Sequence, residues 1–127
     1  MMGVMTILSS VRGVCAAVPG VASCKVGLEA NLTPADYPMV HIVPSVVRAG
    51  PVSGTREIEA LVYFGQPVHE FSGGLEALYT SLMTFEALLL AAIGTAPGVS
   101  AYYTETILDE DRVDAYKLMA MRVRLVG

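Results

Sequence analysis

Tryptophan is absent, and cysteine and histidine occur only twice each. Charged residues are scarce as well, 16% of 127 residues against about a quarter in an ordinary soluble domain. Each scarcity excludes something. Cys15 and Cys24 do not form a metal-type spacing and no histidine lies near them in sequence, so a reduced pair is expected in place of a disulfide framework or a zinc site. His41 sits mid-strand, where a packed or surface residue is expected in place of a base, and His69-Glu70 lies in a turn-like segment, where solvation is expected. Gly50 to Gly54 has neither the spacing nor the lysine of a phosphate-binding loop, Gly73-Gly74 starts no G-x-G-x-x-G run, and no G-x-S-x-G elbow occurs. No catalytic residue, cofactor site or metal site is therefore assigned, and the expectation is a protein that is not an enzyme.

Positive charge is sparse and scattered. The net charge is -4, from 8 Lys+Arg and 12 Asp+Glu, which disfavours sequence-independent binding to phosphate backbones. No specific nucleic-acid partner is expected. Uninterrupted apolar runs are short too: Ala87 to Ile93 falls well below the roughly 20 residues that cross a bilayer. Val21-Ala22-Ser23-Cys24 faintly resembles a lipoprotein cleavage site, which leaves a lipid-anchored exported protein as one alternative. No Lys or Arg precedes Arg12 and Pro19-Gly20 interrupts the run, so a soluble chain without a membrane partner is the working expectation.

Hydrophobic residues are what the chain has in excess, at 54%. A domain of this length removes roughly two-thirds of its unfolded surface from water on folding and needs no staple. So high an apolar share has little room within one copy, and points to self-association. The whole of residues 1–127 is expected to form one domain.

Periodicity gives the elements. Thr6 to Val18 places Ile7, Val11, Val14, Cys15 and Val18 on one helical stripe, which Pro19-Gly20 ends. A short strand over Ser23 to Gly27 follows, then an irregular connection to Pro38. Met39 to Arg48 is β-branched and reads as a strand, with Val40, Ile42 and Val46 on one face and His41, Val43, Ser45 and Val47 on the other. Pro44 cannot donate to a ladder and predicts a bulge or an unpaired edge position. After a hairpin loop over Ala49 to Thr55, Glu57 to Phe64 alternates cleanly. Leu75 to Ile93 has no Gly or Pro and is the main helix, with Ser72 as a plausible N-cap and Leu75, Leu78, Leu82, Phe85, Leu89 and Ile93 as its stripe.

Two further strands close the chain, Tyr102 to Leu108 and Asp114 to Val126. Met119, Met121, Val123 and Leu125 are expected inward, with Arg122 and Arg124 outward. Tyr116 is expected opposite Tyr102-Tyr103. The order predicts an α+β fold, a mostly antiparallel sheet of four to five strands with two helices packed on one face.

This layout resembles the tail terminator proteins of long-tailed bacteriophages and gene transfer agents. The residues that carry it are Asp36-Tyr37-Pro38-Met39-Val40-His41-Ile42 leading into a strand, the hairpin strand Glu57 to Phe64, and the helix Leu75 to Ile93. A Tyr-rich strand follows, then an acidic tip at Asp109, Glu110 and Asp111 and a terminal strand. The resemblance implies a structural virion protein at the head-proximal end of the tail, assembled in the host cytoplasm. It implies a homohexameric ring that caps the tail tube protein, stops tube growth and presents a surface to a head or neck connector protein. Arg48 and Arg56, flanking one loop, and Asp109, Glu110, Asp111 and Arg112, at the hairpin tip, are the expected docking contacts. The alternatives are another head-tail joining protein or a small ligand-binding α+β domain.

Overall fold

A computed structural model of the chain describes residues 3–27, 38–67, 74–108 and 116–127. The elements run α1 (Val4–Ala16), β1 (Ser23–Val26), β2 (Met39–Ala49), β3 (Arg56–Pro67), α2 (Leu75–Ile93), β4 (Ser100–Leu108) and β5 (Tyr116–Val126). The strands form one sheet in the order β1-β2-β3-β5-β4. The β1–β2 pair is parallel and the other three pairs are antiparallel. This is the α+β architecture that the element order predicts.

Alternation builds the core. On β3, Ile58, Ala60, Val62 and Phe64 are fully buried, and on β5 Met119, Met121, Val123 and Leu125 join them. Both helices pack on that face, α2 through Leu78, Leu82, Phe85, Leu89 and Ile93 and α1 through Ile7, Leu8, Val11 and Cys15. Phe85 meets Phe64 edge to face at 5.8 Å between ring centroids, which locks α2 to the middle strand. Leu8, which the sequence stripe omits, is fully buried, while Val14 is only half-buried. α1 starts two residues earlier than its periodicity suggests and stops at Ala16, before Val18 and Pro19.

α2 begins and ends where its composition predicts. Its N-cap is Gly74, at φ 87° and ψ −165°, a backbone region open almost only to glycine; Ser72 itself lies outside the described residues. By length and composition alone, Glu76 to Ile93 is apolar enough to cross a bilayer. Its buried stripe against the sheet is also what a core helix presents. The first helix covers only part of it: Met83 and Leu88 stay exposed on its outer side.

β2 departs from simple alternation. Pro44 pairs with Ala60 and Val46 with Glu59, so Ser45 is the extra residue of a β-bulge, and its hydroxyl donates to the Glu59 carbonyl at 2.9 Å. The bulge moves Val46 to the outer face with His41 and Val43, and Val47 to the helix face with Val40 and Ile42. Both assignments reverse the strict alternation expected from sequence, because one inserted residue flips every side chain beyond it.

Candidate functional site

Register places the outer strands relative to the two proposed docking regions. β2 and β3 turn through residues 50–55, where Gly50 N–H donates to the Thr55 carbonyl at 2.8 Å and Val52 is well exposed. Arg48 and Arg56 flank this turn. Arg56 exchanges two backbone hydrogen bonds with Gly127, at 2.9 and 3.0 Å, so the chain end is tied to the same end of the sheet. Asp109, Glu110, Asp111 and Arg112 lie outside the described residues. The strand ends that flank them, Leu108 and Tyr116, belong to the other end, since Leu108 pairs with Met119 and Tyr116 with Pro67, whereas Arg48 pairs with Glu57. Seven rungs from Glu57 to Phe64 correspond to roughly 24 Å. The Arg48–Arg56 turn and the strand ends Leu108 and Tyr116 are therefore at opposite ends of the sheet.

Tyr116 is also corrected by the register. It sits opposite Pro67, while Tyr102 faces Arg124 and Tyr103 faces Val123. β5 reaches past β4 at that end, so the tyrosines are not cross-strand neighbours.

The sheet face turned away from the helices carries two groups of paired charges. Arg48 donates to Glu57 at 2.8 Å and to Glu59 at 3.2 Å. Glu57 reaches Arg124 through its other oxygen at 3.5 Å, Arg124 stacks over the Tyr102 ring at 4.9 Å, and Arg122 lies 3.2 Å from Glu105. The hydrogen bond to Glu57, then that to Glu59, holds the Arg48 guanidinium above its ordinary pKa. Arg122 and Arg124 are therefore each paired with a carboxylate.

β4 is the exposed outer strand, with Tyr102 and Ile107 on this face and Tyr103 and Leu108 on the helix side. Tyr102 and Tyr103 are each 50% exposed, Ile107 44% and Leu108 45%. Among the described residues, nothing pairs with the outer side of β4, nor with β2 beyond Ile42, where β1 stops. β4 also carries a bulge, at Thr104, since Tyr103 pairs with Val123 and Glu105 with Arg122. The two bulges flank the same Ala60–Val123 rung, so both outer strands are one residue longer than the inner pair at that level. This lengthening deepens the twist along both edges.

The remaining candidates for chemistry are weak. His41 is fully buried within the sheet, in register with Lys25 and Tyr63. His69 lies outside the described residues. Among the described residues, no group of three or more His, Cys, Asp or Glu could hold a metal. The depressions along α2, lined by Glu76, Tyr79, Thr80, Met83, Thr84 and Ala87, are shallow and open. Cys15 and Cys24 are free thiols at the α1–β1 contact, with Cys24 Sγ 3.6 Å from the Arg12 carbonyl. Burial, and then the neighbouring Cys24, pushes Cys15 up to about 12. Burial pushes Cys24 up to about 11 against the opposing pull of Arg12. Such thiols are poor nucleophiles.

The segment before Cys24 supplies α1, hence Ile7, Leu8, Val11 and Cys15 of the core. Cleavage before Cys24 would uncover the sheet. The chain matches no protein-family model and no curated protein.

Proposed function

We propose that this chain is a structural virion protein of the tail-terminator type. Copies close head to tail into a six-membered ring that caps the tail tube, ends its polymerisation and presents the other face to a head or neck connector. The observation that carries this reading is the β4 edge, which is unpaired among the described residues and where four large apolar or aromatic side chains stand 44 to 50% exposed. A monomer normally shields such an edge with charge, proline or a covering segment, and an edge left bare is a template for association. Head-to-tail contacts that close make a ring, and a ring matches the rotational symmetry of a tube end.

The placement of the described strand ends adds support. A ring whose strands run along its axis would offer the Arg48–Arg56 turn on one face and the strand ends Leu108 and Tyr116 on the other, and a cap between tube and neck needs two such faces.

Light scattering over a concentration series, followed by negative-stain imaging with isolated tail tubes, tests the proposal. The expected result is a hexamer, or rings seated at tube ends. A monomer that never decorates tubes would overturn it.

A further inference from the structure

We propose that neighbouring copies join their sheets through backbone pairing of β4 with residues 43–49 of β2 of the next copy, the part of β2 whose outer side is unpaired among the described residues. The inference rests on the ring reading only in taking neighbours as related head to tail.

Direction comes first. β4 and β2 lie on opposite sides of the sheet and run antiparallel to each other, because β2 is antiparallel to β3, β3 to β5, and β5 to β4. A neighbour turned about an axis along the strands, with its helices on the same side, therefore brings its β2 antiparallel to β4. That is the more stable ladder geometry.

Register follows from two constraints. The helix faces coincide only if β4 is staggered by an even number of residues, since a slip by one turns every side chain to the other face. The stagger must also clear the neighbour's β1, which already occupies β2 as far as the Val26–Ile42 pair. With no stagger Leu108 shares its rung with Val40, through Met119 and Phe64. A stagger of two brings it to Ile42, still blocked by Val26, and a stagger of four brings it to Pro44, beyond β1.

The side chains that this stagger brings together match. Counting four rungs along β3 from each β4 residue, Glu105 falls opposite the neighbour's Arg48, Thr106 opposite Val47 and Ile107 opposite Val46. Glu105 and Arg48 are both largely exposed at their charged ends, so the neighbour's guanidinium would add to the Arg122 contact that Glu105 already makes. Ile107, at 44%, covers Val46, at 41%, on the same face. The exposed valines left by the Ser45 bulge thereby gain an apolar partner, and a charge meets its opposite. These matches were not used in setting the register, which came from strand direction and the position of β1.

The test uses two full-length variants, Ile107→Cys and Val46→Cys, purified separately, then mixed and oxidised with glutathione disulfide. Both sites are exposed, so folding is expected to be unchanged, which circular dichroism checks. The expected result is a covalent dimer from the mixture and none from either variant alone or from the wild-type chain, whose Cys15 is buried and Cys24 only partly exposed. Dimer from Ile107→Cys alone would show a two-fold β4–β4 contact and overturn the proposal, as would no dimer from the mixture. Rings on tubes without the mixed product would keep the cap function and remove this pairing. The mixed product without tube binding would do the reverse.

Discussion

Arg48 and Glu57 face each other across the β2–β3 pair at 2.8 Å, and Glu57 extends the contact to Arg124 on β5 through its second oxygen. A single carboxylate thus links three strands. Glu57 is 9% exposed, whereas both arginines keep much of their charged ends in water. Its removal leaves the two arginines side by side with their shared anion gone, while Glu59 still holds Arg48.

Glu57→Gln is expected to keep the fold and cost about 1 kcal/mol, the range of a partly screened pair with hydrogen bonds. Urea unfolding measures it. Glu105→Gln, whose partner Arg122 is a more exposed pair, should cost less.

Phe85 is 5% exposed and fills the space between α2 and Phe64. Phe85→Ala should destabilise the chain by about 3–5 kcal/mol, through lost burial and the cavity left between helix and sheet. Met83→Ala, on the exposed side of the same helix, should lie within about 0.5 kcal/mol of the wild type. Equal losses at the two positions would mean that the helix is seated on its other side.

The thiols give a pH prediction. Cys15 and Cys24 are raised from 9.0 to about 12 and about 11 in the folded chain. The unfolded chain therefore releases these protons first as pH rises. Their contribution to stability is whole below pH 9 and is lost between pH 9 and about 12. Melting temperature should fall over that window more steeply for the wild type than for Cys24→Ala. At pH 8 an aromatic disulfide reagent should label the folded chain slowly, Cys24 before Cys15, and both quickly in denaturant.

Much of this architecture is legible in the residue pattern, and the exceptions have physical causes. The faces of β3 and β5 follow from alternation because both are central strands with one face against helices, so polarity tracks burial. α2 is legible because nineteen residues without Gly or Pro leave few alternatives. The faces of Val46 and Val47 were read in reverse, although Pro44 signalled a bulge. A proline marks the irregularity but does not say which neighbour becomes the extra residue. Tyr116 was misplaced because register depends on where β4 ends relative to β5, a relation between distant segments. The turn between β2 and β3 is legible as a polar, Gly- and Pro-containing loop, but not that it lies at the opposite end of the sheet from Leu108 and Tyr116, which depends on strand direction through the whole sheet.

By itself the sequence determined the number and type of elements, the apolar stripes that build the core and the surplus of hydrophobic surface, because these depend on local periodicity and composition. Only the tertiary structure decided which edges are unpaired among the described residues, that both outer strands bulge beside one rung, and that Glu57 gathers Arg48 and Arg124. Those features arise from pairing between residues far apart in the chain, whose register is set by the packing of the whole sheet and is not encoded in any one segment.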